Sequence, residues 1–432
     1  MKYYLISLGC PKNLVDSERF SAIIEAGGYE LTTDPVEADT IIINTCGFIQ
    51  DAKVEAVDTI LEAAEYKKDG ANLIVTGCLV RRYFEDIQKS IPEIDHLVDL
   101  QDFDKFAQIF TIPTVSKKRK LMTAGHYAYL RITDGCNNLC SYCAIPSIRG
   151  SLCSKPIEEL LQEAEELAAG GVKELIIIGQ DIAQYGVDLY GEQKLAKLLK
   201  QIHKIEALKW IKLLYLHPAH ITTELLDTIS TLPKICRYFD IPIQHINDDI
   251  LHSMNRHISK AETIALLDDI RSKFPEAVIR TTIITGYPGE TKEHFEELKE
   301  FIIEQKFERL GVFVYSPEED TTAYGLKKRV PSKLALARKD ELMSIQQQIS
   351  IAFLENFIGS YLPVIIDAES DSDDFHYIGR TYFDAPEIDG IVYLTGNDLG
   401  PGDIVKTNIT DSTEYDLIGE YKQTEEIQCR QK

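Results

Sequence analysis

The sequence predicts an α/β protein of three parts: an open parallel-sheet N-terminal domain, a partial (β/α)6 barrel and a small C-terminal antiparallel β-barrel. Short apolar strands alternate with helical patterns in two successive blocks, and the last block has strand-like runs separated by Gly, Pro, Asn and Asp. The length of 432 residues is enough for about three domains. We place the domains at 1–112, 126–358 and 360–432, with a linker over 113–125.

The first block repeats strand and helix. Its predicted strands are 3–8, 40–44 and 72–76, and its helices include 16–26 and 51–66. Strands that alternate with helices favour a parallel sheet of the open kind. The basic run 117–120 then predicts a solvated linker, since a nucleic-acid site is the poorer interpretation in so acidic a chain.

The second block contains six strand patterns, and a long helix over 332–357 follows them. The strands are predicted at 127–133, 174–179, 211–217, 238–243, 278–284 and 310–315, with helices that include 155–169, 260–273 and 292–305. Successive βα units without an antiparallel interruption favour a barrel or partial barrel. The chemistry of such folds lies at the C-terminal ends of the strands.

The third block changes character. Strand-like runs at 362–368, 390–394, 403–410 and 416–421 predict a small antiparallel β-barrel. From residue 361 onward the chain carries 16 acidic and five basic residues. This block therefore holds a large part of the negative charge of the protein.

Charge and cysteine usage restrict the partners and the compartment. The formal charge of −23 repels nucleic-acid phosphates and anionic lipids, so a basic partner is expected. Nine cysteines do not form the dense even set of a small disulfide scaffold, and reduced thiols in a cytosol fit better. The N-terminus lacks the features of a secretion signal, and apolar runs are too short for a membrane span. We expect a soluble, cytoplasmic protein without a membrane partner.

Three cysteines lie close together directly after the first predicted barrel strand. Cys136, Cys140 and Cys143 form a C-x3-C-x2-C motif. Iron-sulfur clusters are held by Cys thiolates at short spacings of this type, normally four of them, so three leave one iron without a protein ligand. A zinc site built from these cysteines and a distant His is the open alternative.

Three further cysteines each follow a predicted strand of the first domain. Cys10, Cys46 and Cys78 lie just past the C-terminal ends of these strands, which converge on one crevice in an open α/β sheet. They predict a second cluster, although Cys is also a common buried residue at strand ends. Positions 153, 236 and 429 show no such pattern, and we interpret Cys153, Cys236 and Cys429 as ordinary thiols.

With the C-x3-C-x2-C loop and the aromatic Tyr142, the chain resembles the radical S-adenosylmethionine (SAM) enzymes. The cysteines of the preceding domain and a terminal barrel similar to a TRAM domain narrow this to the methylthiotransferases. The segments 7–18 (SLGCPKNLVDSE) and 134–150 (DGCNNLCSYCAIPSIRG) resemble members that modify a ribosomal protein. Those members add a methylthio group to the β-carbon of an aspartate in small-subunit protein S-twelve.

The resemblance implies two 4Fe-4S clusters and SAM as cofactors. The cluster on the C-x3-C-x2-C loop would bind SAM through its open iron and yield a 5'-deoxyadenosyl radical, while the other cluster would supply sulfur and a second SAM the methyl group. An electron donor and a sulfur source would be further partners. SAM contacts are expected at barrel strand ends, namely Gly179, Gln180, Asp181, Gln244, His245, Arg256, Gly286, Gly289 and Glu290. For the glycines, a plain tight turn is the alternative.

Two other functions remain to be weighed. A tRNA adenosine methylthiotransferase would share both cysteine sets, but the acidic third block offers few Lys or Arg side chains to phosphate. The acidic charge instead suits a strongly basic ribosomal protein. Pro11-Lys12-Asn13 also differs from the Gln-Met-Asn associated with the tRNA enzymes. A non-catalytic iron-sulfur carrier would need neither the barrel nor an open iron.

Overall fold

The computed structural model describes residues 1–113 and 117–422. Cys429, the end of the third domain predicted at 360–432, and 114–116 of the predicted linker lie outside the described residues. Among the described residues, each helix is too short or too polar to cross a lipid bilayer.

The first domain is a parallel sheet between helices. In chain order it contains β1 (Lys2–Ser7), α1 (Pro11–Ala26), β2 (Glu30–Leu31), β3 (Thr40–Thr45), α2 (Gln50–Tyr66), β4 (Asn72–Gly77), α3 (Cys78–Ser90), β5 (His96–Leu97) and α4 (Phe103–Ile109). The strand order is β2-β1-β3-β4-β5, and all pairs are parallel. Ile41 and Ile43 pack with α2 on one face of β3, and Ile42 packs with α1 on the other.

The first sheet contains two short strands that were not predicted. The two-residue strands β2 and β5 are too short to produce a periodic pattern in the sequence. Helix α1 begins earlier than predicted, at Pro11, because proline is favoured in the first turn of a helix, where its missing N–H costs no hydrogen bond. Cys10 therefore occupies the N-cap position of this helix.

The second domain is an open sheet of six parallel strands surrounded by helices. It contains β6 (Tyr127–Arg131), β7 (Thr133–Asp134), α5 (Ile145–Arg149), β8 (Cys153–Ser154), α6 (Ile157–Ala169), β9 (Glu174–Ile178), α7 (Val187–Tyr190), α8 (Leu195–Ile202), β10 (Trp210–Leu213), α9 (Thr223–Thr231), β11 (Ile235–Asp240), α10 (Asp248–Ser253), α11 (Lys260–Lys273), β12 (Val278–Thr285), α12 (Lys292–Gln305), β13 (Arg309–Val314) and α13 (Ser332–Glu355). The sheet order is β13-β12-β11-β10-β9-β6, which confirms the predicted partial (β/α)6 barrel.

The first βα connection of this domain departs from the prediction of uninterrupted parallel units. The first strand ends at Arg131, and Thr133 and Asp134 instead pair antiparallel with Ser154 and Cys153. This small ladder, β7 with β8, closes the base of the loop that carries the three clustered cysteines. The interruption lies outside the six-stranded sheet.

The third domain is a closed five-stranded barrel. Its strands are β14 (Tyr361–Glu369), β15 (Tyr377–Thr381), β16 (Val392–Thr395), β17 (Ile404–Ser412) and β18 (Leu417–Glu420), in the order β14-β15-β16-β18-β17. The prediction of a wholly antiparallel barrel is wrong at one place, since β16 and β18 pair in parallel to close it. Strand β15 was not predicted, because Gly379 and the buried Arg380 interrupt its apolar pattern.

Buried ion pairs join the domains. Arg380 of the third domain lies 2.8 Å from Glu174 at the start of β9, and Lys212 of β10 lies 2.9 Å from the same carboxylate. Arg119 joins the first two domains, because it contacts Glu18 and Glu163 and is almost fully buried. The prediction of a solvated linker is therefore wrong at Arg119, although Lys117 pairs with an acid near the surface.

Candidate active site

The three dispersed cysteines come together at one edge of the first sheet. Strands β1, β3 and β4 are neighbours, and Cys10, Cys46 and Cys78 follow their carboxyl ends. The Asn13 side chain holds the turns together, because its amide donates to the carbonyls of Leu8 and Thr45 at 3.0 Å each. Its Oδ1 lies 3.5 Å from the Cys78 sulfur.

Charged groups and helix ends surround this first cysteine set. Burial by itself would raise the pKa of Cys10, but Lys12, Arg149 and backbone N–H groups of α1 outweigh it and lower that pKa. Burial raises the pKa of Cys46, and it raises the pKa of Cys78 to about 12 against the opposing charge of Arg149. Cys10 and Cys78 also lie at helix N-termini, where the peptide dipoles favour a thiolate.

The second cysteine set lies on one short loop, which the barrel holds from several sides. Gly135, at φ +65°, opens the loop, and a Cβ there would lie 2.1 Å from the Ser151 carbonyl. The backbone N–H of Ser141 donates to Met254 at 3.0 Å, and its hydroxyl contacts the Tyr287 hydroxyl at 2.8 Å. The N–H of Asn138 points at the Cys136 sulfur at 3.4 Å.

Burial dominates the electrostatics of the second set. It raises the pKa of Cys136 to about 11 and that of Cys143 to about 12. The Arg256 guanidinium is the neighbouring cation, and its Nη1 lies 3.6 Å from the Cys140 sulfur and 3.3 Å from the Tyr142 hydroxyl. This arginine favours the deprotonated thiols, and a metal centre bound here would stabilise them further.

Both sets face one cavity of about 470 Å³ between the first two domains. Its lining includes all six cysteines, Cys10, Cys46, Cys78, Cys136, Cys140 and Cys143. The volume falls within the usual range of small-molecule and cofactor sites. The resemblance to the methylthiotransferases implies one cavity between the first two domains that both clusters face, and the fold brings both cysteine sets to such a cavity.

Arg149 links the two cysteine sets. Its Nη2 lies 3.8 Å from the Cys78 sulfur and 3.1 Å from Asp16. Its Nη1 lies 3.2 Å from Asp134, the residue before the glycine that opens the second loop. Local patterns in the sequence do not single out Arg149, because two of its partners, Asp16 and Cys78, lie in distant segments of the chain.

The cysteine geometry fits clusters better than single ions. A zinc–sulfur bond is about 2.3 Å, so three thiolates on one zinc lie within about 4.6 Å of each other. Among the described residues, one group of three His, Cys, Asp or Glu side chains has all its potential ligand atoms within 4.8 Å of one another. That group is Asp181, His217 and His220. In each cysteine set at least one pair of sulfur atoms therefore lies more than 4.8 Å apart, which is farther than ligands of one zinc ion can be. The zinc alternative is therefore disfavoured.

Several polar atoms aimed into the cavity lack a hydrogen-bond partner. Buried polar groups are nearly always paired, so such atoms indicate a polar ligand. They are Gln180 Nε2, His217 Nε2, Gln244 Oε1, Arg256 Nε and the Tyr315 hydroxyl. Three of these residues, Gln180, Gln244 and Arg256, are predicted SAM contacts. Their unpaired polar atoms suit a ligand such as SAM.

Other predicted SAM contacts are not among the described residues that line the cavity, and most of them have partners within the protein; the exception is His245, whose Nε2 is buried without one. They are Gly179, Asp181, His245, Gly286, Gly289 and Glu290. Asp181 accepts hydrogen bonds from Asn138, from His220 and from two backbone N–H groups, so it fixes the cysteine loop. Burial lowers the pKa of His245 to about 3, so this ring is neutral.

The segment after β12 is shaped by helix packing. Glu290 lies 2.9 Å from Arg338 of α13, and it accepts hydrogen bonds from the N–H groups of Gly286 and Tyr287. A Cβ at Gly286 would lie 2.4 Å from the side chain of Ala335 in α13. These contacts account for Gly286 and Glu290 without a ligand.

A network of ion pairs joins the first domain to the segment that follows β13. Arg82 of α3 lies 2.8 Å from Glu318, which follows β13, and 2.7 Å from the Gly47 carbonyl beside Cys46. Lys53 of α2 lies 3.0 Å from the same Glu318 carboxylate. We call Lys53, Arg82 and Glu318 the latch. It holds the Cys46 loop against the barrel.

Family models match each of the three domains. The uncharacterized protein family UPF0004 matches residues 2–99, the radical SAM superfamily matches residues 130–302, and the TRAM domain matches residues 358–421. A solved structure of the radical SAM methyltransferase TsrM from Kitasatospora setae is similar with a TM-score of 0.55. At 13% identity, covering 87% of this chain and 80% of that chain, it supports the fold alone.

Curated relatives match over almost the full chain. A protein of Lachnoclostridium phytofermentans named ribosomal protein uS12 methylthiotransferase RimO is 46% identical, covering 97% of this chain and 99% of its own. A protein of the same name from Aquifex aeolicus is 46% identical, with 97% of each chain covered. The chain therefore belongs to the RimO family of radical SAM methylthiotransferases.

Proposed function

We propose that this protein adds a methylthio group to the β-carbon of an aspartate in ribosomal protein uS12, the S-twelve protein of the small subunit. The observation that carries the proposal is the single cavity lined by both cysteine sets. A carbon radical has to meet a sulfur donor before solvent quenches it, so both groups must share one enclosed site. The names of relatives that are 46% identical agree with this activity.

The six cysteines hold two 4Fe-4S clusters in this proposal. Cys136, Cys140 and Cys143 bind the cluster that takes SAM, and the strand-end cysteines of the first domain bind the other. When bound, these groups supply a hydrogen-abstracting radical, the sulfur atom and the methyl group. The chain binds and orients them through the unpaired polar groups of Gln180 and Gln244, and the latch excludes water.

The acidic third domain suits a basic protein substrate. Its exposed acidic residues among those described are Glu369, Asp371, Asp373, Asp374, Glu387, Asp398, Asp411 and Glu414, whereas its exposed basic residues there are Lys406 and Lys422. Such a surface repels tRNA phosphates and attracts a ribosomal protein. Asp367 and Asp384 do not contribute to it, since they pair with Arg380 and Arg309 at domain contacts. A reductant and a sulfur source are the other partners required.

The test uses the full chain with both clusters reconstituted anaerobically, SAM and a reductant. We expect mass spectrometry to find a methylthio group on a uS12 peptide that contains the target aspartate. The matched control peptide carries alanine at that position and should stay unmodified. Modification of an anticodon stem-loop in place of the peptide would contradict the proposal.

A further inference from the structure

Lys12 extends from the first cysteine set across the cavity to the barrel. It is 4% exposed, and its Nζ lies 3.3 Å from the Gly179 carbonyl at the end of β9. The same Nζ lies 3.4 Å from the centre of the Tyr215 ring. The side chain thus lies on the cavity wall where the two domains meet.

The cations that line the cavity differ in their partners. Arg149 pairs with Asp16 and Asp134, and Arg280 pairs with Asp240 at 2.9 Å. Arg256 is held against the Cys140 loop and the Pro242 carbonyl. Within the described residues, Lys12 has no carboxylate oxygen within 4.0 Å, although several acids lie in the same region.

A buried ammonium in this setting is incompletely satisfied. It has three N–H donors, of which one carbonyl and one ring face take up two. A charge out of water is stabilised only when it is paired and fully hydrogen-bonded. The third N–H donor of Lys12 is left for a ligand at the cavity wall, and a ligand carboxylate would accept a hydrogen bond from it.

We infer that Lys12 binds the side-chain carboxylate of the target aspartate and thereby selects an acidic residue as substrate. The inference rests on the proposed function. The γ-carboxylate is bonded directly to the β-carbon, so its capture by Lys12 fixes the direction of the β C–H bonds toward the SAM side of the cavity. An adenosine offers no carboxylate to this position, so Lys12 also disfavours a tRNA substrate. Lys12 is a specificity residue that sequence analysis noted only as part of a motif.

The experiment compares two uS12 peptides, one with the target aspartate and one with the isosteric asparagine. Peptide binding and turnover are measured on the reconstituted protein and on its Lys12→Met and Lys12→Arg variants. A hydrogen bond to a charged group is worth about 1.5–3 kcal/mol, so the original protein should prefer the aspartate peptide by about 10- to 150-fold. Lys12→Met should reduce this preference to near one, and Lys12→Arg should restore part of it.

The controls separate this inference from the proposed function and from a role in SAM binding. Iron content is measured for every variant, and peptide preference is compared at equal cluster loading, because Lys12 also lowers the pKa of Cys10. SAM affinity should be unchanged in Lys12→Met. A drop in SAM affinity with the aspartate preference intact would mean that Lys12 holds the carboxylate of SAM, and it would overturn the inference. An original protein that binds both peptides equally would also overturn it, with no variant needed. An original protein that modifies neither peptide would refute the proposed function itself.

Discussion

The two cysteine sets face one cavity, yet the chain assembles them in different ways. Cys136, Cys140 and Cys143 lie on one loop, so their spacing is set locally by the β7–β8 ladder. Cys10, Cys46 and Cys78 meet only when β1, β3 and β4 pair in the right register. The set of Cys10, Cys46 and Cys78 therefore depends on the tertiary fold. The set of Cys136, Cys140 and Cys143 depends on a short loop that the barrel supports.

The sets also differ in their electrostatic surroundings. Burial raises the pKa values of Cys46, Cys78, Cys136 and Cys143 in both sets, and Cys10 differs because Lys12 and Arg149 outweigh its burial and lower its pKa. Because thiolates are the ligands, the first domain favours metal binding at Cys10 even before a metal arrives. Arg149 lies 3.8 Å from the Cys78 sulfur of the first set and pairs with Asp134 at the base of the loop that carries the second set, so one side chain couples the two sites.

Removal of one whole set has the largest expected effect. Replacing Cys10, Cys46 and Cys78 with Ala should lower the iron content by about half, because the other cluster keeps its own ligands. SAM cleavage should persist while peptide modification stops. Iron analysis and product quantification check this. Replacing Cys136, Cys140 and Cys143 is the matched variant, and it should lose both activities; loss of all iron in either variant would contradict two independent clusters.

The glycines before Cys78 and Cys136 sharpen the comparison further. Gly77 has φ +103°, and a Cβ there would lie 2.4 Å from the Thr45 carbonyl. Gly77→Ala should therefore reduce iron in the first set only, and Gly135→Ala in the second set only, each at a conformational cost above the about 1–2 kcal/mol of a left-handed residue. Gly70→Ala is the control, since Gly70 has φ +81° but no atom within 4 Å of a Cβ. Iron content and thermal unfolding check these variants, and equal losses in all three would refute local control of the cysteines.

Much of this site could be predicted from the sequence, and the limits are physical. The positions of six cysteines after strands follow from periodicity and from the common edge of parallel strands. The two-residue strands β2 and β5 and the parallel closure of the third barrel carry no local pattern. Lys12, Arg149 and the latch each have a partner more than a hundred residues away, which for Arg149 is Asp16, and single-sequence patterns do not reveal such pairs.

The other missed features arise from packing. Gly286 and Glu290 are predicted SAM contacts, and the structure adds packing roles that the sequence does not show, because they contact Ala335 and Arg338 of α13. The number of acidic residues in the third domain predicts its net charge. Some of these residues are buried in ion pairs, such as Asp384 with Arg309, and do not contribute to the surface charge. Sequence counts do not separate these two roles.

The central claim is that both clusters face one cavity, and magnetic coupling between them tests it most directly. Electron paramagnetic resonance spectra are recorded for the fully reduced protein and for the two triple-alanine variants that each keep one cluster. We expect the spectrum of the complete protein to show dipolar broadening that the sum of the two variant spectra does not reproduce. A spectrum equal to that sum would place the clusters far apart and contradict the account.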